Sequence, residues 1–253
     1  MGKGVDMSTR RVVAILGAGG ALGGAISARL ASEADTDLVL SDMSEDSLGS
    51  TLGALAGAAG SVETMVADVT VQADVDAVVA RAVERFGRLD VVIGNAGVLS
   101  PNGRIHNLDD EDWDRAFRVN VMGSVHVVKS AVGAMRSNGG GSIVLTASVA
   151  GMTAWSHAGP YCVTKAGIIE LAKVAAVEYA KDRIRVNCVC PGTFRSAIHE
   201  GLPDEALDAI AVKHPLGLGS AGDVAGAYAY LASDASRWTT GSAIVVDGGY
   251  TAP

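Results

Sequence analysis

Short apolar runs alternate with longer segments of helical period from one end of the chain to the other. The runs at 11–16 (RVVAIL), 37–41, 62–66, 89–94, 141–146, 184–190 and 242–246 are rich in Val, Ile and Leu at consecutive positions. Strands buried on both faces have this composition, whereas a strand with one wet face alternates. Between the runs lie helix patterns near 21–34, 45–58, 71–86, 111–136, 158–181 and 221–233. Parallel strands need a crossover connection, and a helix between successive strands supplies it. The alternation therefore predicts an α/β fold, a doubly wound parallel sheet of about seven strands with helices on both faces.

Composition fits one core. Of 253 residues, 49% are hydrophobic and only 4% aromatic, so Ala, Val, Leu and Ile must pack it. Glycine is abundant at 32 residues and proline scarce at 6, which suits tight strand-to-helix turns better than linkers. No internal repeat or Pro/Ser-rich run divides the chain. We expect a single domain over 11–253, preceded by a flexible extension over 1–10. The irregular segment 193–220 is expected to act as a flap, because ligands in such sheets bind beyond the carboxyl ends of the strands.

A net charge of −8, with no Lys/Arg run longer than Arg10–Arg11, argues against a nucleic-acid partner. Three cysteines, Cys162, Cys188 and Cys190, form no CxxC and meet no histidine cluster, so neither a disulfide framework nor a metal site is expected. The opening MGKGVDMSTRR lacks the apolar stretch of a signal peptide. The uncharged stretch 12–28 is broken by five glycines, so no membrane span is expected, and the cysteine usage fits a cytoplasmic location.

The first run leads straight into GAGGALGG. Gly17, Gly19 and Gly23 let the backbone turn sharply and approach a pyrophosphate at a helix N-terminus. Asp42 closes the second strand 19 residues beyond Gly23, where a carboxylate can accept both hydroxyls of an adenosine ribose and repel a 2′-phosphate. Its alternative use is as a helix cap, for which Ser44 is an equal candidate. No Lys or Arg lies between Arg29 and Arg81 to meet a 2′-phosphate, so NAD (NADH) is expected rather than NADP.

From here the residues resemble the short-chain dehydrogenase/reductase family. Asp68-Val69 follows the third strand, GNAG occupies 94–97, VNVMG 119–123 and IVLTASVAG 143–151. YCVTK (161–165) begins thirteen residues after Ser148, and VNCVCPG (186–192) and VDGGYTAP (246–253) complete the set. The resemblance runs from about Arg11 to the end and implies a Rossmann-type oxidoreductase. Three positions depart from the family pattern: Leu16 stands for a threonine, Ala21 for the middle glycine and Gly94 for an asparagine. The family pattern implies cofactor contacts at Gly17, Gly19, Ala21, Leu22, Gly23, Asp42, Met43, Asp68, Val69, Asn95, Ala96, Gly97, Pro191, Gly192, Thr193 and Ser196, with Val119 in the adenosine wall.

It also implies a tetrad of Asn120, Ser148, Tyr161 and Lys165. Singly, each has an ordinary structural explanation: a helix pair, a cap, a solvated amide. Tyr161 and Lys165 share a helical face at i and i+4. A free phenol titrates near ~10, and a neighbouring ammonium and oxidised nicotinamide are expected to lower that value. Tyr161 is thus the expected general acid/base, Lys165 its electrostatic support and a ribose hydroxyl donor, Ser148 the donor to the substrate oxygen, and Asn120 the holder of a water behind Lys165. Tyr161 and Lys165 also count among the cofactor contacts. Substrate contacts are expected at Ser148, Trp155, Tyr161 and Phe194, in a mostly apolar lining that also draws on Leu99, His157, Ile198 and Leu202. His157, His199 and His214 match no metal motif and are expected at the surface or in the pocket lining, and Cys162 in the core. The substrate is expected to be a small-molecule secondary alcohol or ketone of medium size and mixed polarity. The alternatives are a 3-oxoacyl-carrier-protein reductase and a non-catalytic NAD-binding sensor or scaffold. Small residues on the 158–181 helix favour a homotetramer.

Overall fold

The computed structural model describes residues 10–196 and 204–252. Seven parallel strands form one sheet: β1 (Arg11–Leu16), β2 (Thr36–Asp42), β3 (Val62–Val66), β4 (Val91–Gly94), β5 (Gly141–Thr146), β6 (Ile184–Pro191) and β9 (Ala243–Val246). Their order is β3-β2-β1-β4-β5-β6-β9. The chain therefore reverses its direction of travel between β1 and β4, and the crevice at their carboxyl ends is the natural ligand site.

Side-chain alternation divides the core between the two faces. Val12, Ala14 and Leu16 join one cluster with α3 (Gln72–Phe86), α5 (Gly123–Ser137) and α6 (Gly159–Tyr179). Val13 and Ile15 join the other with α1 (Ala21–Ala31), α2 (Glu45–Ala54) and α8 (Ala221–Ala232). Both faces are thus dry, which explains why the strands read as unbroken apolar runs.

Three expectations change. The pattern over 111–136 is not one helix: α4 (Asp110–Ala116) passes through a π-helical turn, Phe117–Met122, before α5. Apolar periodicity cannot register a turn of that kind, because it adds a residue without moving the buried stripe far. Within 193–220, β7 (Phe194–Arg195) pairs with β8 (Gly219–Ser220), and α7 (Asp204–Ala211) lies between them. Arg10, assigned above to the extension, is buried: its Nε donates to Asp37 Oδ1 at 3.0 Å and its guanidinium to the Thr36 carbonyl. Residues 1–9, Ile198, His199 and Leu202 lie outside the described residues.

After β5 the chain makes a short 3₁₀ turn, Val149–Gly151, that lies directly on α6. A Cβ on Gly151 would sit 2.6 Å from the Lys165 carbonyl carbon and 2.7 Å from the Ala166 nitrogen. Both are backbone atoms, so the turn or the helix would have to move. Gly151→Ala is predicted to cost about 1–3 kcal/mol through overpacking, or roughly 2–12 °C in melting temperature by calorimetry. Activity should fall further than the lost stability accounts for, because Ser148 sits on one side of the contact and Lys165 on the other.

Candidate functional site

The glycine turn joins β1 to α1. Gly17 has φ +85, and a Cβ there would overlap the Ala96 amide; one on Gly23 would overlap the Gly17 carbonyl. Glycine is therefore required by neighbouring backbone at both positions. A Cβ on Gly19 would meet the Asp42 carboxylate at 3.0 Å. The first amides of α1 are free of side-chain capping, since its cap is Gly20. Such a turn suits an anion. The threonine that Leu16 replaces is not missed, since the turn is braced by its neighbours. Thr51 Oγ1 donates to the Ala18 carbonyl at 3.1 Å and Asn95 Nδ2 to the Gly17 carbonyl at 2.8 Å.

Asp42 is half-buried at the end of β2. Its Oδ2 accepts from Gly19 N–H at 3.0 Å and its Oδ1 from Ser44 N–H at 3.2 Å. Helix α2 is capped by Ser44, whose hydroxyl accepts from Ser47 N–H, so Asp42 is not its cap. A groove with about 200 Å³ of water-accessible space runs from here along the crevice. Gly17, Asp42, Met43, Val69, Asn95, Ala96, Gly97 and Val119 line it as expected, and Gly20, Ala67 and Val98 join them. Gly19, Leu22 and Gly23 support the turn from beneath, while Ala21 is exposed at the start of α1. Asp68 lies beside the groove, with Oδ1 accepting from Thr70 N–H at 2.8 Å. Pro191 and Gly192 close β6 against Val246 and Asp247. Phe194, half-buried, is held in β7, and Ser196 follows it.

The four tetrad residues come from three segments, the π turn (Asn120), the turn after β5 (Ser148) and α6 (Tyr161 and Lys165), and meet at the far end of the groove. Lys165 is buried on α6 and donates from Nζ to the Thr146 carbonyl at 2.8 Å. Its Nζ lies 5.6 Å from the centre of the Tyr161 ring. Tyr161 hydrogen-bonds the Ser148 side chain, whose Oγ also accepts from Ala150 N–H at 3.1 Å. Asn120, fully buried in the π turn, clamps the Val98 backbone in both directions, at 2.8 and 3.0 Å, and donates to Thr164 Oγ1. A Cβ on Gly97 would approach both Asn120 Oδ1 and Lys165 Nζ within 3.3 Å, so the groove's glycine abuts the tetrad. With its amide spent on the backbone and Thr164, Asn120 fixes the loop after β4 against α6.

The electrostatics differ from expectation. With the protein's own groups alone, burial pushes the Tyr161 phenol above 10.0, against the hydrogen bond from Ser148 that lowers it. Burial brings Lys165 down from 10.5 to about 8. The ammonium thus does not by itself bring the phenol into the neutral range. It is held at a cost that an added negative charge would relieve.

Tyr250 and Tyr228 were not anticipated here, and His214, expected only at the surface or in the pocket lining, makes contacts that the sequence did not indicate. His214 is buried, accepts from Thr193 N–H at Nε2 (3.1 Å) and donates from Nδ1 to the Ile210 carbonyl (3.0 Å). It ties β6's loop to α7, and it occupies the backbone amide of Thr193, one of the expected cofactor contacts. Tyr250, in the C-terminal turn, packs on His214 with ring centres 4.9 Å apart and edge-on to Trp155 at 6.3 Å. Trp155 in turn stacks on Tyr161 at 6.1 Å. Tyr228, fully buried on α8, meets Thr146 Oγ1 at 2.7 Å. The contacts of His214 with Thr193 and Tyr250, of Tyr250 with Trp155 and of Tyr228 with Thr146 join segments far apart in sequence, which motif spacing does not reveal. His157 is exposed, with φ 69. Cys162 is half-buried rather than in the core, and its Sγ reaches the Trp155 carbonyl at 3.9 Å. Among the described residues no group of His, Cys, Asp and Glu is arranged to hold a metal ion, and no helix is long and apolar enough to cross a membrane.

Because Lys165 is wholly buried, its charge opposes folding. The unfolded side chain holds its proton up to about 10.5 and the folded one only up to about 8. Between these values the unfolded state binds more protons, so this group's contribution to stability rises with pH. Lys165→Met is therefore predicted to raise stability at pH 7 by on the order of 1–3 kcal/mol, and the melting temperature with it. The gain should vanish as the pH climbs through that window; thermal melts across pH check it.

Comparison with known proteins agrees with this geometry. Residues 17–251 match the family model described as Enoyl-(Acyl carrier protein) reductase. The chain is 36% identical to cis-4-hydroxycyclohexanecarboxylate dehydrogenase of Sinomonas cyclohexanicum, covering 96% of this chain and 97% of that one. It is 35% identical to 3-oxoacyl-acyl-carrier-protein reductase FabG of Thermotoga maritima, covering 94% and 97%. A solved short-chain type dehydrogenase/reductase from Mycobacterium marinum superimposes with TM-score 0.90 at 32% identity, covering 98% of each chain. With the strand order, the glycine turn and the convergent tetrad positions, these matches make the chain a member of the short-chain dehydrogenase/reductase family of oxidoreductases.

Proposed function

We propose that this protein is an NAD(H)-dependent dehydrogenase that interconverts a secondary alcohol and a ketone. The observation that carries the reading is the convergence of Ser148, Tyr161 and the buried Lys165 at the end of a groove whose other end is walled by Asp42. Gly17, Gly19 and Gly23 leave room that any side chain would fill, and α1 turns uncapped amides toward it, as a dinucleotide's pyrophosphate requires. A bound nicotinamide supplies the hydride acceptor or donor.

The chain's own residues supply the proton and the charge. In oxidation the Tyr161 oxygen, as phenolate, takes the hydroxyl proton; in reduction the phenol returns it. Ser148 donates to the substrate oxygen, opposing the alkoxide-like charge that develops there. Lys165 favours the phenolate, and loss of a proton from Tyr161 relieves the burial cost of the ammonium in turn. Asn120 keeps Gly97 and Val98 in place beside Lys165. Residues 193–220 act as the flap, tied down at His214. Exposed Val163, Val174 and Val177 along α6 supply apolar surface for assembly into a homotetramer.

The Thermotoga relative supports a second reading, reduction of the 3-oxo group of an acyl chain carried as an acyl-carrier-protein thioester. The relative 36% identical to this chain is instead an alicyclic alcohol dehydrogenase by name, and Asp42 and the net charge of −8 suit neither NADPH nor an acidic carrier.

Tyr161→Phe is predicted to lower kcat at least ~10²-fold while NADH affinity stays within a few-fold, because only proton transfer is removed. Stopped-flow turnover with NADH fluorescence titration reads both, and retained turnover would sink the assignment. Asp42→Ala is predicted to narrow the preference for NADH over NADPH; unchanged discrimination would place the selection on another residue.

A further inference from the structure

We infer that the substrate carries a second, hydrogen-bond-accepting oxygen away from the reacting carbon, and that Trp155 and Ser100 hold it. The inference deepens the dehydrogenase reading and rests on it. Among the described residues, four buried side-chain polar atoms have no hydrogen-bond partner: Arg11 Nε, Gln72 Oε1, Ser100 Oγ and Trp155 Nε1. Arg11 and Gln72 each make other hydrogen bonds through the same side chain and stand at the start of β1 and of α3, away from the groove's catalytic end. Ser100 and Trp155 have only the one polar atom each. Both of the wholly unsatisfied side chains thus fall on the two loops that frame the Tyr161 end of the site.

Those loops run side by side. Gly103 pairs with Ala158 in a parallel bridge, and Gly103 N–H donates to the His157 carbonyl at 2.9 Å. Three residues before the bridge stand Ser100 on one chain and Trp155 on the other. The Trp155 ring is fixed from two sides, stacked on Tyr161 and edge-on to Tyr250. Its N–H is therefore held in one orientation, not left to rotate toward water.

Leaving a buried donor unpaired costs about 1–3 kcal/mol, and a ligand oxygen placed against it recovers that cost. An indole N–H only donates, and a hydroxyl can donate as well, so the matching group is an acceptor. The one buried cation nearby, Lys165, is engaged with the Thr146 carbonyl, while Arg104 and Arg195 are exposed. A neutral carbonyl or hydroxyl oxygen fits this setting better than a carboxylate, which would go unneutralised. The substrate class is thus a dioxygenated compound, a diketone or hydroxyketone, with an apolar frame between its two oxygens.

The test compares a cyclic monoketone with the diketone of the same ring size. Reduction by NADH gives kcat/KM, and titration followed by NMR gives affinity. Wild-type protein should favour the diketone by roughly tenfold beyond the twofold statistical factor, the value of one good hydrogen bond. Trp155→Phe keeps an aromatic ring, though a smaller one, and removes the N–H, so whatever it does to turnover, the diketone-to-monoketone ratio should collapse toward the statistical value. Ser100→Ala should lower the ratio too. If the monoketone is reduced but wild type shows no preference, or the ratio survives both substitutions, the inference is wrong and the dehydrogenase stands. If neither ketone is reduced, yet affinity favours the diketone and Trp155→Phe abolishes that preference, the dehydrogenase reading fails and the oxygen site stands. No reduction and no difference in affinity would overturn both.

Discussion

The ammonium of Lys165 lies in the interior and, among the described residues, has a single hydrogen-bond partner, the backbone carbonyl of Thr146. Thr146 ends β5 and serves two sides of the site at once. Its carbonyl fixes Lys165, while its hydroxyl meets Tyr228 and donates to Asn95 Oδ1 at 3.1 Å. Asn95 in turn holds the Gly17 carbonyl of the glycine turn. One hydrogen-bonded chain therefore runs from the turn that would cradle a pyrophosphate to the amine beside the phenol. Because each link is at least partly buried, a shift at one end leaves an unpaired polar group at the next, and the geometry holds as a unit.

Much of this was legible in the sequence, for physical reasons that can be named. Strands buried on both faces leave unbroken apolar runs, so all seven sheet strands fall within two residues of their expected bounds. The glycine turn was legible because backbone approaches Gly17 and Gly23 so closely that no side chain fits. Asp42 was legible by its place at a strand end. What the sequence could not carry are contacts between distant segments. Nothing near His214 in sequence says that its ring will meet the Thr193 amide, or that Tyr250 will fold back onto Trp155. The π turn at Asn120 escaped because its effect lies in the hydrogen-bond ladder and not in the apolar period. The direction in which Tyr161 titrates also escaped, since it depends on burial.

The site combines a costly interior with an adaptable rim. Lys165, Asn120 and Ser148 are buried and held by backbone, which gives the reacting end a single arrangement. Around it, Trp155, Tyr250 and His214 form an aromatic wall that joins the loop before α6, the C-terminal turn and α7. Differences among family members in what they accept can arise in that wall without disturbing the hydrogen-bonded chain beneath. On this account the chemistry is fixed by the ends of β4 and β5 with α6, and selectivity by three segments that meet only in the folded chain.

The central claim is that a hydride passes directly between a carbinol carbon and a nicotinamide held in this groove. It is tested most directly by incubating the protein and NAD with a secondary alcohol deuterated at the carbinol carbon, then weighing the reduced cofactor by mass spectrometry. The account predicts that the deuterium appears in the reduced cofactor, one per ketone formed. Ketone formed with the label lost to water, or cofactor bound with no label transferred from any alcohol in a broad panel, would contradict it.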